Sequence, residues 1–375
     1  VPVIAVAPIW SAYYYLFALC GLGILIGARL ARAPRWGALL AVALLAWGSH
    51  NARTLDEFIT APGAWTRESH VNRFYVERAT GFVGQYVAQL KALHPAFPPR
   101  STLFFSGVPA FIGFQTADGP LVRWAWRDSS LRSYYPAAFT LERYRRGPSF
   151  FFDVKDDSIR EMPRGPRLML ELAFHSLLND GPATARDALV VALEMDSLDV
   201  STNYWRAWVE WALGRRDEAR TYLSRARMKL QAGEAPETPG ALRLVAAGDT
   251  AQALRRMTVA VNRRPFDPGA HALLADLLIN SPATMEAAAV EAYAARVLAP
   301  RHAHNWWRWG YVQARFDRFD QAVLSLERYF ALGGSDAESQ ADAQALLAQL
   351  RRTLPGGELA QAALRERLAG GGWRR

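Results

Sequence analysis

Four stretches of the chain bring chemistry-bearing side chains close enough together to be weighed as reactive or ligating sites. His302-Ala-His304 offers two imidazoles after Pro300, but no third ligand follows at a spacing that would complete a metal site. Asp153, Asp156 and Asp157 place three carboxylates within five residues; the glycine and distal glutamate of a calcium loop are missing, and a solvated hairpin turn accounts for them. Gly107 to Gly119 bears glycines without the lysine of a phosphate loop or the spacing of a dinucleotide site. Cys20 is the single cysteine and sits in an apolar run, which excludes a disulfide framework, a cysteine metal site and haem attachment through Cys-x-x-Cys-His. There is no serine-centred nucleophile elbow and no Cys–His pair. The expectation is therefore a protein that is not an enzyme, with no metal and no cofactor.

What remains is the chemistry of recognition. Trp205, Trp208 and Trp211 recur three apart and form one stripe of a helix, while Trp306, Trp307 and Trp309 cannot all face inward, because neighbouring helix positions point in different directions. Arg206, Arg308 and Arg315 lie among them, and tryptophan with arginine is the composition of protein-interface hot spots. The competing readings are packing between helices and tryptophan at a water–lipid boundary. Trp205, Trp208, Trp306, Trp307, Trp309, Arg308 and Arg315 are the candidate partner-binding residues.

The elements that must position them follow a repeat. From Pro166 to about Gly357 small residues return roughly every 34 positions, at Ala173, Ala207, Ala241, Ala275 and Gly310. A second series follows at Ala185, Ala219, Ala253, Ala288 and Ala322, and a third at Ala192, Ala226, Ala260, Ala295 and Tyr329. Leu189, Leu223, Met257 and Leu326 fill the 3.6-period positions between. Small residues at fixed offsets let two helices approach closely while large ones fill the gaps. This spacing resembles the tetratricopeptide repeat (TPR), a helix–turn–helix unit of about 34 residues. Trp306, Gly310 and Ala322 stand at the family's spacing, Pro265 and Pro300 match its closing proline, and Gly214 to Ala219 and Gly248 to Ala253 fit its turn. Asp336 to Thr353 reads as a helix capping the last apolar face, and residues 358–375 as a final short helix and tail. The resemblance implies a mainly α fold, with an α-solenoid of about five helix pairs over 166–357 that holds peptides or partner helices.

Upstream, residues 1–53 read as a membrane anchor. Ile9 to Ala28 carries no charge and is long enough to cross a bilayer, which takes roughly 20 apolar residues. Trp10, Tyr13 and Tyr14 suit an interfacial aromatic belt, and Arg29, Arg32 and Arg35 a cytoplasmic turn. A second, shorter run from Trp36 through Trp47 to Ser49 completes a helical hairpin, so that the rest of the chain faces the periplasm of a bacterial inner membrane. A cleaved signal peptide lacks its basic start here, and a lipoprotein box around Cys20 lacks its small preceding residue.

Residues 54–165 read as a small α/β module: a helix over Ser69 to Leu93, a buried strand at Thr102 to Ser106, a helix over Leu121 to Leu131, and a hairpin of Phe150 to Val154 with Ser158 to Met162. Thr102 to Pro109, Gly113 to Pro120 and Leu131 to Tyr135 resemble the extracytoplasmic tail of bacterial polytopic membrane proteins related to glycosyltransferases. Those proteins place a catalytic acid on an early external loop of a long helix series, which this sequence lacks, so the resemblance implies a remnant without its catalytic part.

The chain has 44 Lys and Arg against 35 Asp and Glu, a net charge of +9 carried almost wholly by arginine. Such a balance suits an anionic membrane surface or acidic protein partners, and no recognition motif points to nucleic acid. The expectation is a membrane-anchored scaffold gripping other subunits of a large membrane complex, with a photosynthetic or respiratory assembly first in line; a chain starting on valine suits a natively purified subunit. The alternatives are the accessory half of a membrane glycosyltransferase, with an acid-lined cleft in 54–165, and a free peptide-binding adaptor with an open concave groove.

Overall fold

In a computed structural model the chain is described over residues 35–54, 73–108, 119–155, 158–179, 181–334 and 337–354, with isolated positions at 21, 23–25, 27–29, 32, 112, 364 and 368. Two compact units result: residues 1–93 with 109–114, and residues 94–108 with 115–375. The first holds helix α1 (Arg35–Thr54) and helix α2 (Arg73–Leu93). Trp36, Leu39, Leu40, Leu45 and Trp47 on α1 are exposed, as are Arg29 and Arg32. Trp10, Tyr13, Tyr14 and Cys20 lie outside the described residues, as does the side chain of Arg35. The predicted membrane hairpin is not supported: no helix among the described residues is long and apolar enough to cross a membrane. The second run does become a 20-residue helix, but Gly48, Ser49, His50, Asn51 and Arg53 dilute its apolar character.

In the second unit four strands form a sheet in the order β2-β1-β3-β4. Strand β1 (Thr102–Ser106) pairs in parallel with β2 (Arg132–Tyr134) and with β3 (Ser149–Lys155), and β4 (Ser158–Glu161) returns antiparallel to β3. Unbroken apolar runs suit strands covered on both faces. Phe104 stacks on Phe151 at 5.0 Å, and Phe105 on Phe152 at 5.2 Å on the opposite face. The predicted helix over Leu121 to Leu131 is shorter: α3 (Leu121–Trp126) ends where Arg127 turns left-handed, at φ 51°. A further short helix, α4 (Leu141–Arg145), is capped by the Thr140 side chain.

The repeat region is five hairpins and a cap. These are α5 (Pro166–Leu178) with α6 (Pro182–Met195), α7 (Val200–Ala212) with α8 (Arg216–Arg225), and α9 (Thr238–Ala246) with α10 (Thr250–Arg263). Then come α11 (Pro268–Leu278) with α12 (Met285–Leu298), α13 (Ala303–Arg315) with α14 (Phe319–Ala331), and the capping helix α15 (Ala337–Thr353). Every residue of the three predicted small-residue series is buried. At Gly310 an added Cβ would stand 3.1 Å from Leu326 Cγ and 3.3 Å from the Ala322 carbonyl. Gly214 and Gly248 end the first helices of their hairpins at φ 81°, a conformation that glycine adopts without penalty.

Beyond its nearest neighbours the stack folds back on itself. A connection over 226–237 leaves the second hairpin and runs along the end of α10, with Lys229 donating to the Asn262 carbonyl at 2.8 Å. Helix α7 of the second hairpin packs directly on α12 of the fourth. The first hairpin meets the fifth: Gln313 Nε2 donates to the Leu178 carbonyl at 2.8 Å, Ser325 Oγ donates to Gln313 Oε1 at 2.6 Å, and Phe174 meets Phe316 edge-on at 4.8 Å. The sheet shares this core through Phe104 and Phe151, and the turn after β2 through Phe139, so this module is continuous in packing with the repeats. Gly310→Ala is expected to destabilise, because its Cβ would crowd Leu326, Ser325 and the Ala322 carbonyl, and Gly310→Val more so, by about 1–3 kcal/mol in a urea titration.

Candidate interaction surface

Helix α7 carries its tryptophans into the core. Trp208 is fully buried and meets His271 edge-on at 4.9 Å, and Trp205 is 6% exposed against Phe174 at 5.6 Å. Trp309 on α13 is likewise buried, against Tyr293 at 5.3 Å. Trp208, covered by the fourth hairpin, and Trp309, covered by the neighbouring α12, are fully buried and are not contact residues, while Trp205 keeps only a narrow exposed part. Arg308 is committed to the fold by a two-pronged bond to Asp276, at 2.9 and 2.8 Å. Trp306 is half-buried, donates to the Pro300 carbonyl at 2.7 Å and lies under the Arg296 guanidinium.

One stripe of the predicted set stays at the surface. Trp307 stacks on Tyr311 at 6.1 Å and 17°, and Arg315 Nη1 donates to the Tyr311 hydroxyl at 3.2 Å. The three stand four apart, so they share one face of α13. Trp307 and Arg315 are half-exposed, while Tyr311 is buried beneath them.

Buried charge is the feature that sequence reasoning missed. Glu210, 1% exposed, takes Arg206 at 2.5 Å, Arg186 at 3.1 Å and Arg215 at 3.3 Å, tying α6, α7 and the turn into α8 together. Arg206, grouped with the interface arginines by sequence, belongs to this cluster. A second group joins hairpins two and four: Tyr204 donates to Glu291 at 3.0 Å, and Glu291 meets His271 Nδ1 at 2.5 Å. The other His271 nitrogen faces the Pro265 carbonyl at 2.8 Å. Burial, then the Glu291 charge, push the Tyr204 phenol well above its ordinary value, so it stays a donor. Residues in contact across hairpins leave no spacing signal, although Arg206 and Glu210 are four apart and legible as a helix pair.

Between α5, α7 and the start of α12 lies a cleft of 470 Å³. Leu170, Phe174 and Trp205 line it with Glu171, Asp199, Glu286 and Arg167. The reactive stretches weighed from sequence are otherwise placed. His302 and His304 have ring centres 5.7 Å apart, His304 packs on Tyr329, and no group of three metal-ligating side chains occurs among the described residues. Asp153 accepts from Ser106 Oγ at 2.6 Å, while Asp156, Asp157 and most of Gly107 to Gly119 lie outside the described residues.

Five successive hairpins crossing at buried small residues fix the architecture. The helical region is TPR-like. Among solved structures the chain is similar to YrrB, a TPR protein with an unusual peptide-binding site, at 19% identity over 47% of this chain and 90% of that one, with a TM-score of 0.27. It is also similar to MamA (41-end) from Desulfovibrio magneticus RS-1, at 12% identity over 56% of this chain and 97% of that one, TM-score 0.25. Cut9 with Hcn1, from the APC/C hetero-tetramer, gives 16% identity over 54% of this chain and 42% of that one, TM-score 0.28. No family profile and no curated protein matches the sequence. The TPR-like assignment rests on the hairpins themselves.

Two outcomes follow from the buried charges. Removing the Glu210 carboxylate (Glu210→Ala) strands Arg206 without a counter-charge and is expected to cost about 3–5 kcal/mol in chemical unfolding. At the contact between the first and fifth hairpins, Arg318 Nη2 donates to His175 Nδ1 at 3.2 Å. Desolvation, then the Arg318 charge, hold His175 below its ordinary value of 6.5, against the opposing pull of Glu171. The folded state thus binds that proton less readily than the unfolded chain, so stability present above pH 6.5 is lost as pH falls through the folded value. Thermal unfolding across that range should show the loss, and His175→Gln should flatten it.

Proposed function

We propose that the chain is a non-enzymatic scaffold that holds other proteins together at a membrane. The observation that carries this reading is the TPR-like stack, cross-tied between distant hairpins, with Trp307 and Arg315 held at its surface by Tyr311. Side chains fixed in place before binding lose little freedom when a partner arrives, which favours tight contact. The expected anchors narrow from seven residues to Trp307 and Arg315, with Trp306 beside them.

The membrane part of the reading draws on α1. From its start to Leu55 the sequence has no acidic residue, and exposed Trp36 and Trp47 stand toward the two ends of the apolar run, as suits contact with lipid. Arg29, Arg32 and Arg35 would then sit on the cytoplasmic side of a bacterial inner membrane, with the stack in the periplasm and extrinsic parts of a photosynthetic or respiratory complex as partners. The free-adaptor reading shares the same TPR-like stack and needs no anchor, and no helix among the described residues is long and apolar enough to cross a membrane. The glycosyltransferase reading expected its acid-lined cleft in residues 54–165, whereas the acid-lined cleft described here lies between helices of the stack.

Gentle extraction of native membranes with this chain as bait, followed by mass spectrometry, separates these readings. Stoichiometric recovery of integral membrane subunits is expected, reduced at least tenfold in a Trp307→Ala, Arg315→Ala double variant. A catalytic glycosyltransferase partner, or recovery unaffected by the two substitutions, overturns the proposal. Release of the chain from membranes by alkaline carbonate points to the free adaptor.

A further inference from the structure

The cleft between α5, α7 and α12 has a chemistry that helix packing does not use. Its floor is aromatic, where Phe174 and Trp205 meet edge to face. Its rim carries three carboxylates, Glu171, Asp199 and Glu286, against the single guanidinium of Arg167, in a chain whose net charge is +9. Asp199 uses Oδ1 to cap α7, accepting from Thr202 N at 2.6 Å. Neither its second oxygen nor the Glu286 carboxylate is bonded to a described residue.

A second observation points the same way. Thr202 lines the cleft, is wholly buried, and its Oγ1 has no hydrogen-bond partner. Buried hydroxyls are almost always satisfied, so a hydrogen-bonding partner is missing at this point. Arg167, its side chain 88% exposed, pairs with Glu171 one turn along α5 at 3.1 Å, which leaves Asp199 and Glu286 as the carboxylates without a cation among the described residues.

Carboxylates above an apolar floor hold a long cationic side chain twice over, through its apolar stem and through charged acceptors. A planar guanidinium pairs with two acceptors at once; an ammonium acts only as a point charge. We propose that the cleft receives an arginine side chain from an extended segment of a partner protein, with its apolar stem against Leu170 and the exposed parts of Phe174 and Trp205 and its N–H groups turned to Asp199 and Glu286. At 470 Å³ the space falls in the range of about 300–1,000 Å³ typical of ligand sites and leaves room for residues flanking that arginine. The proposal rests on the scaffold reading and specifies the chemistry of one partner.

The test uses the full chain and fluorescence anisotropy of a labelled octapeptide, Gly-Ser-Gly-Arg-Gly-Arg-Gly-Ser, beside versions carrying lysine or citrulline in place of arginine. Saturable binding of the arginine peptide is expected, weaker for lysine and at least tenfold weaker for citrulline. The Glu171→Gln, Glu286→Gln double variant should lose at least tenfold in affinity with its thermal unfolding unchanged. Asp199→Asn, which retains the helix cap, should lose severalfold and serves if the double variant fails to fold. Equal binding of arginine and citrulline peptides, unchanged affinity in folded variants, or no saturable binding overturns the assignment. If the bait experiment recovers native subunits while the arginine peptide binds no better than citrulline, the cleft assignment falls and the scaffold stands. Selective peptide binding without native partners reverses that outcome.

Discussion

Each hairpin depends on a small residue where its two helices come closest. At Gly310 the space left for a side chain is already taken by Leu326, Ser325 and the Ala322 carbonyl, and the alanines of the other hairpins are buried in the same register. Close approach allows the large residues on either side to interlock, and it sets the angle at which each hairpin presents its outer face to the next. The repeat is in this sense a steric device before it is a binding device.

Interlocking neighbours would by themselves give an open series in which each hairpin touches only the next. This chain adds ties between distant members. Gln313 joins the fifth hairpin to the first through the Leu178 carbonyl, and Tyr204, His271 and Glu291 join the second to the fourth. Such polar groups stabilise little in net terms when paired and cost heavily when stranded, so they discriminate among packings more than they strengthen any one of them. The consequence is a restricted surface: Trp208 becomes core, while Trp307, Arg315 and the cleft beside α5 stay accessible.

Helical periodicity survives in sequence because it is local. The five hairpins, the strand at Thr102 to Ser106 and the capping helix were all legible, since each follows from apolar spacing, glycine and proline within a few dozen residues. Strand β2 escaped notice because three residues, Arg132 to Tyr134, are too few to display an alternation. The helix ending at Trp126 was overextended because nothing in residue type announces the left-handed turn at Arg127. Tryptophans were the harder case: spacing on a helix says which share a face, but not whether another hairpin covers that face.

The sequence by itself determined the repeat, its phase and its turns, because each is a matter of residue type at short separation. Tertiary structure alone decided that the first hairpin meets the fifth, that Glu210 gathers three arginines, and that an acid-rimmed aromatic cleft opens between α5, α7 and α12. Contacts between residues as far apart as Leu178 and Gln313 depend on the summed rotations of all the hairpins between them, and no local pattern records that sum.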